Sequence, residues 1–285
     1  MSYDLLISAE QLQELFANKA PVRIFDCTFD LADAALGHQQ YLDSHIPGAV
    51  YAHLDTDLSD KHGTGVSGGR HPLPEREKFA IWLSSVGMGN DMQAVVYDRN
   101  GANYCGRLWW MLKWVGHANV AVLDGGLQAW QAAHASVATG QEPTHFQTGF
   151  KLAPELSKLV ATKTVADNLG RPSQTLIDAR GAPRFRGESE PIDPIAGHIP
   201  GALNRPFSQN LDEHGKFKPA DQLKAEFETL LAGRDPASVV HHCGSGVSAV
   251  PNILAMQIAG FEMTGLYAGS WSDWCSDASR PMAQG

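Results

Sequence analysis

The stretch HIPGA at residues 198–202 repeats, letter for letter, the stretch at residues 45–49, an offset of 153. Working outward, the repeat continues on both sides. Upstream, Phe25-Asp26 in VRIFDC matches Ile177-Asp178 in TLIDAR at an offset of 152. Downstream, residues 95–130 and 239–274 align without a gap at an offset of 144, pairing Val95 with Val239, Val96 with Val240, Gly116 with Gly260, Gly125 with Gly269 and Trp130 with Trp274. Self-similarity over so long a period marks two homologous domains. The expected division is residues 1–138, a linker at 139–160, and residues 161–285. The linker stretch HASVATGQEPTHFQTG lacks helical periodicity and is rich in Gly, Thr and Ser. The first copy carries the longer middle segment, which includes the loop-like GTGVSGGRHPLP at residues 63–74.

Each copy alternates short β-branched runs with helix patterns. VRIFD, AVVYD and NVAVL read as strands in the first copy, and TLIDA, SVVHH and TGLYA as their partners in the second. Such runs suit a sheet covered on both faces. Leu108, Met111, Leu112 and Val115 keep the i, i+3, i+4, i+7 spacing of a helix, and Val250, Ile253 and Leu254 begin the same pattern. Ser8-x-x-Gln11 has the form of a capping box. The fold class expected is α/β: two tandem domains, each a mainly parallel sheet flanked by helices.

The bulk composition is that of a globular protein, with 285 residues, 43 % hydrophobic and 19 % charged. A net charge of −9 and a pI near 5.7 argue against nucleic acid or an anionic membrane as partner. The opening MSYDLLISAEQLQELF has neither a basic segment nor an apolar core, and no apolar run approaches a membrane span, so a cytoplasmic location is expected. Cys27, Cys105, Cys243 and Cys275 are far apart and form no C-x-x-C pair, which points away from a disulfide framework or a zinc site.

The chemistry is expected at ASVVHHCGSGVSAVPNILAM, where a buried strand runs into a helix. Ligands of α/β sheets bind beyond the carboxyl ends of strands, and Cys243 stands there. Gly244 and Gly246 let the following backbone curl, so that amides up to Ser248 can turn inward, while the helix adds the positive end of its dipole. Such a loop stabilises a thiolate or an anionic persulfide. At offset 144 the first copy has Arg99 where the second has Cys243, so the copies share a scaffold but differ at this one place. One active and one silent copy is the expectation. A cysteine phosphatase would need an arginine six positions after the cysteine, and Ala249 stands there. His241 and His242 could suggest a metal, but adjacent strand residues face opposite ways, so a structural role is expected.

A strand ending in Cys-Gly-Ser-Gly-Val-Ser-Ala, two HIPGA-bearing domains and a terminal GSWSDW resemble the 3-mercaptopyruvate and thiosulfate sulfurtransferases of the rhodanese superfamily. The resemblance spans almost the whole chain. It implies a catalytic C-terminal domain, a silent N-terminal one, and a sulfur carried as a persulfide on Cys243. Thiosulfate-preferring members carry charged residues after the cysteine, whereas mercaptopyruvate-preferring ones carry Gly-Ser-Gly, as here. Ser248 replaces the commoner Thr and keeps the hydroxyl. Arg184 matches the arginine that grips the substrate anion, together with the loop residues Gly244, Gly246, Val247 and Ser248. A second family arginine, nine residues later, is Asp193 here, so Arg186 or a residue of the first copy has to substitute. His45 matches a histidine placed near Ser245, with which an aspartate, Asp33 being a candidate, forms a proton relay. Yet its repeat partner His198 marks HIPGA as a shared structural turn. Trp271 is expected as a pocket wall, and Asp26 and Asp178 as structural strand ends.

The implied reaction moves sulfur from 3-mercaptopyruvate to cyanide or a thiol such as reduced thioredoxin, without metal or organic cofactor, in a monomer. Thiosulfate as donor, or a persulfide carrier serving a protein partner, are the alternatives.

Overall fold

A computed structural model describes residues 2–63 and 65–285. The chain divides into two compact units. The first comprises Met1–Ser59, Pro74–Leu156 and Glu213–Lys216; the second comprises Asp60–Leu73, Ser157–Asp212 and Phe217–Gly285. Two segments are thus exchanged relative to a simple division along the sequence. The loop at Asp60–Leu73, part of the middle segment that is longer in the first copy, belongs to the second unit.

The first unit runs β1 (Leu6–Ile7), α1 (Ala9–Ala17), β2 (Val22–Asp26), α2 (Ala34–Asp43), β3 (Val50–Tyr51), α3 (Arg76–Ser85), β4 (Gln93–Tyr97), α4 (Cys105–Trp114), β5 (Val120–Leu123) and α5 (Gly126–Ala132). The second runs β6 (Lys158–Leu159), α6 (Thr162–Asp167), β7 (Thr175–Asp178), α7 (Ala182–Phe185), β8 (Leu203–Asn204), α8 (Ala220–Leu231), β9 (Val239–His242), α9 (Val250–Ile258), β10 (Gly265–Leu266) and α10 (Ser270–Trp274). Both sheets are parallel and five-stranded, in the orders β1-β5-β4-β2-β3 and β6-β10-β9-β7-β8. The orders are the same strand for strand, as a duplicated chain requires. The central strands β4 and β9 are buried along their whole length. Each Val in them contributes roughly 1.5–3 kcal/mol by leaving water.

The capping box forms as read: Ser8 Oγ accepts from Gln11 N at 3.2 Å, and Gln11 Oε1 accepts from Ser8 N at 2.8 Å. The stretch expected as a linker is instead largely a strap on the first unit. His45 and Ala138 exchange backbone hydrogen bonds of 3.0 and 2.9 Å, and Thr148 N donates to Ser84 O at 3.0 Å. In the second unit His198 and Ala283 make the same exchange, at 2.8 and 2.9 Å. The HIPGA histidine therefore anchors the segment that follows the last helix in both copies.

Candidate active site

The second unit places Cys243 on the first residue beyond β9, only 1 % exposed. The loop is tied from behind by α10. Cys243 N–H donates to Ser270 Oγ at 3.0 Å, the Cys243 carbonyl accepts from Trp271 N at 3.0 Å, and the Gly244 carbonyl accepts from Ser272 N at 2.9 Å. Gly246 has φ of +75°, and a Cβ there would lie 2.2 Å from the Ala268 carbonyl, so the turn admits only glycine. Among the described residues, the amides of Gly244, Ser245, Val247 and Ser248 donate to no other protein group. A loop of buried N–H donors held in this way is a preformed anion site.

The ring that meets the loop serine is His71, whose Nδ1 lies 2.7 Å from Ser245 Oγ, with both residues buried. This corrects the expectation for His45. In the first unit, His45 Nδ1 donates to the Tyr41 carbonyl at 2.7 Å, Nε2 lies 3.1 Å from Glu142 Oε1, and the ring stacks on Tyr41 at 4.1 Å. His198 repeats the arrangement in the second unit, donating to the Phe185 carbonyl at 2.8 Å and stacking on Phe185 at 3.9 Å. The HIPGA histidine thus makes matching contacts in both copies. Asp33 likewise caps α2, accepting from Ala35 N at 3.0 Å, and its side chain is exposed. The acid in the loop that carries His71 is Asp60, which is buried and whose N–H donates to the carbonyl of Pro72 at 2.9 Å.

Beside the loop, six charged side chains alternate in sign. Arg180 Nη2 donates to Asp178 Oδ2 at 2.6 Å, and its Nη1 to Glu190 Oε2 at 3.3 Å. Arg184 donates to Glu190 through Nη2 at 2.6 Å and Nε at 3.1 Å, and from Nη2 to Asp193 Oδ2 at 3.2 Å. Arg70 Nη1 closes the chain on Asp193 Oδ1. A Cβ at Gly244 would lie 3.0 Å from Arg70 Nη2 and 3.6 Å from both Nη1 and Nη2 of Arg184. Two guanidinium groups therefore border the residue next to Cys243. Arg186 is instead paired with Glu188 at the surface, by bonds of 2.7 and 2.9 Å. Burial pushes the Asp193 carboxyl above its ordinary range, and Arg70 and Arg184 only partly offset it. For Asp178 burial acts in the same sense, but His242 and Arg180 outweigh it and hold the carboxyl low.

Arg180 is a residue that the sequence reading did not single out. It is buried, its guanidinium stands 4.9 Å from the centre of the Trp271 ring, and Asp178, with Glu190 adding to it, outweighs burial and holds its pKa above the ordinary arginine value. Trp271 is fully buried and donates from Nε1 to the Ile195 carbonyl at 2.8 Å. It is thus a floor beneath Arg180 rather than a wall of a pocket. His241 and His242 are both buried; burial pulls His241 down to about 3 and His242 below its usual range. Among the described residues no group of three His, Cys, Asp or Glu could hold a metal ion. No described helix is long and apolar enough to cross a membrane.

The sequence profile of the rhodanese-like domain matches twice, at residues 8–133 and 161–277. A Pseudomonas aeruginosa relative, provisionally named a 3-mercaptopyruvate sulfurtransferase, is 43 % identical over 286 residues, covering 100 % of both chains. A Mycobacterium tuberculosis relative, provisionally named a thiosulfate sulfurtransferase, is 39 % identical over 99 % of this chain and 97 % of its own. The solved structure of 3-mercaptopyruvate sulfurtransferase from Leishmania major superposes with a TM-score of 0.80 at 31 % identity, covering 96 % of this chain and 74 % of that one. Two matches to one domain profile, on units whose sheets share one strand order, make this chain a tandem member of the rhodanese family.

Proposed function

We propose that the chain is a sulfurtransferase that takes sulfur from 3-mercaptopyruvate and passes it, through a persulfide on Cys243, to cyanide or a thiol such as reduced thioredoxin. The observation that carries the reading is the loop at residues 243–249: a buried cysteine at a strand end, the uncommitted amides of Gly244, Ser245, Val247 and Ser248 among the described residues, and two guanidinium groups at Gly244. The relatives' names point to the same chemistry. The uncharged Gly244-Ser245-Gly246 favours mercaptopyruvate over thiosulfate as donor. Four free cysteines, all buried, suit a reducing compartment such as the cytoplasm.

In the first step the Cys243 thiolate attacks the donor sulfur. The new S–S bond forms as the donor C–S bond breaks, and that electron pair leaves with the pyruvate enolate. The amides after Cys243 stabilise the charge on the sulfur, and Arg184 meets the donor carboxylate with Nη1, the nitrogen that its bonds to Glu190 and Asp193 leave uncommitted. The enolate carbon takes up a proton relayed through Ser245 and His71, which takes the place expected for His45. In the second step the acceptor thiolate or cyanide attacks the outer sulfur, the S–S bond breaks, and the Cys243 thiolate is regenerated. With thiosulfate the leaving group would be sulfite, which needs no proton on carbon.

The test is kcat/KM for sulfur transfer from 3-mercaptopyruvate and from thiosulfate, measured side by side. A clear preference for mercaptopyruvate supports the proposal. Preference for thiosulfate assigns the alternative donor. Transfer from neither, with a persulfide on Cys243 acquired only from a donor enzyme, makes the chain a carrier and overturns the proposed reaction.

A further inference from the structure

The first unit holds a cavity of about 260 Å³ that sulfur transfer at Cys243 does not use, lined by α2, β3, the end of α3 and the strap at residues 141–145. Its volume lies just below the roughly 300–1,000 Å³ usual for ligand pockets, so an occupant has to be small. Three rings line it. His38 lies 5.1 Å from Tyr51 and 6.1 Å from Tyr41, centre to centre, and the two tyrosine rings are 5.4 Å apart. Both hydroxyls are committed to the backbone: Tyr41 donates to the Ala49 carbonyl at 2.9 Å and Tyr51 to the Thr28 carbonyl at 2.9 Å. Burial pushes Tyr41 up to about 12 and raises Tyr51 as well, so neither phenol adds a charge. What the tyrosines have left to offer is ring surface.

The strap supplies the charge. Glu142 Oε1 accepts from Gly48 N at 2.8 Å and lies 3.1 Å from His45 Nε2. The Gly48 amide, with His45 adding to it, holds the carboxyl below its ordinary range. Among the described residues, Glu142 Oε2 has no hydrogen-bond partner, and the side chain keeps 20 % of its exposure. His145 lines the same cavity. Burial, with Arg23 adding to it, pulls its ring below the usual range, and its Nε2 is buried without a partner. Among the described residues no lysine, arginine or second acid lines the cavity. The second unit builds no such place: His198 stacks on Phe185, and among the described residues no carboxylate pairs with it.

We propose that this cavity binds a small primary ammonium compound with a flat apolar body. The body packs on His38, Tyr41 and Tyr51, whose ring faces also attract a cation. The ammonium has three N–H groups and no acceptor, which suits Glu142 Oε2 and the neutral imidazole of His145. A quaternary ammonium brings the charge without the donors, a neutral alcohol brings a donor without the charge, and an anion is repelled by Glu142. Because Glu142 also holds Gly48, the ligand fastens the strap to the HIPGA turn of the first unit. The proposal is independent of the sulfur-transfer reading.

The experiment is calorimetric titration of the full chain with benzylamine, benzyl alcohol and benzyltrimethylammonium. Benzylamine is expected to bind one site with a Kd of about 1 mM or tighter, and the other two at least about tenfold more weakly. Glu142→Gln, which keeps an acceptor for Gly48, should weaken benzylamine roughly 10- to 100-fold. His38→Leu should weaken it about three- to tenfold, and Tyr51→Phe, which keeps the ring, should leave it unchanged. His38 is exposed, so His38→Leu reports on the site even where Glu142→Gln loosens the strap. Imidazole NMR signals of His38 and His145, assigned by their loss in His38→Leu and His145→Gln, should shift on titration. Benzylamine should raise Tm in the wild type and not in Glu142→Gln. No saturable binding of benzylamine, equal affinity for the alcohol, or binding that leaves the His38 and His145 signals unmoved overturns the proposal. Sulfur transfer is no part of the readout, so either reading can fail without the other.

Discussion

The two copies build the same turn and fill it differently. In the N-terminal copy, Asp98 follows β4 and turns its carboxylate into the loop. It accepts from Asn100 N at 2.8 Å, Ala102 N at 3.1 Å, Tyr104 N at 2.8 Å and Cys105 N at 2.9 Å. The positive φ of Ala102, +62°, is matched at offset 144 by that of Gly246, +75°. In the C-terminal copy the residue matching Asp98 is His242, whose ring makes no hydrogen bond, and the cysteine comes one place later. The N-terminal loop thus shows what this backbone binds: an anion, held by four amides. Arg99, at the cysteine's position, is tied to Asp26, Thr28 and the Gln40 and Ser44 carbonyls, so it neither reacts nor opens the turn. The C-terminal copy has no carboxylate at that position, and on the proposed function the amides of Gly244, Ser245, Val247 and Ser248 serve a thiolate or persulfide instead.

The comparison breaks most visibly at the cysteine. Cys243→Ser is expected to lower sulfur transfer roughly a thousandfold or more, the scale on which enzymes lose rate with their nucleophile. Cys27→Ser, Cys105→Ser and Cys275→Ser should each leave most of the activity, because burial pushes those three thiols up, away from the thiolate. Rates with both donors check this. Conversely, Arg99→Cys should acquire no persulfide, since Asp98 already fills the amides around it, and thiol mapping after donor treatment would read that.

Next in size is the silent cradle itself. Asp98→Ala leaves four N–H groups without their acceptor, three of them in buried bonds, and should cost roughly 3 kcal/mol or more, measured by denaturant unfolding. A loss below 1 kcal/mol would mean that the loop relaxes freely and is no guide to its active twin.

The relay sharpens the comparison within the active loop. Ser245→Ala and His71→Gln should each lower kcat with mercaptopyruvate about 100-fold and spare thiosulfate, whose leaving group needs no proton on carbon. His45→Gln should act on stability and leave kcat near wild type. Equal losses with both donors would assign Ser245 and His71 to the shape of the loop.

The smallest expected effect lies beneath the cysteine. His241 is held neutral to about pH 3 by burial, with His242 and Arg205 adding to it. Between 6.5 and that value the unfolded chain binds a proton that the folded chain does not. His241 therefore costs no stability above pH 6.5 and an increasing amount as pH falls toward 3. At offset 144 the first copy has Tyr97, which is not subject to this. His241→Gln should flatten the fall of Tm with acidification by a few degrees, as scanning calorimetry from pH 7 to pH 4.5 would show.

Much of this was legible in the residues. The repeated HIPGA and the gapless block from Val95 to Trp130 determine the two matching sheets, because each strand is a buried apolar run and each turn needs its glycine. The place of Cys243 at the end of a buried strand was legible too, and the copies diverge there. What the sequence hid was spatial. His45 shares its motif with His198, and the two make the same contacts, each donating to a carbonyl of its own unit and stacking on a ring there. The histidine and arginine that meet the loop, His71 and Arg70, come from the middle segment that is longer in the first copy, and that surplus was the available signal. Asp193 could not be read alone: its sign is wrong for an anion site until Arg70, 123 residues away in sequence, is seen to share it.

The central claim is that Cys243 carries the sulfur. Protein treated with 3-mercaptopyruvate should be digested and its cysteine peptides weighed, before and after addition of a thiol acceptor. The account predicts one added sulfur on the peptide containing Cys243, cleared by the acceptor, and none on those containing Cys27, Cys105 or Cys275. Turnover with the added sulfur on another cysteine, or with no persulfide under single-turnover conditions, would contradict it.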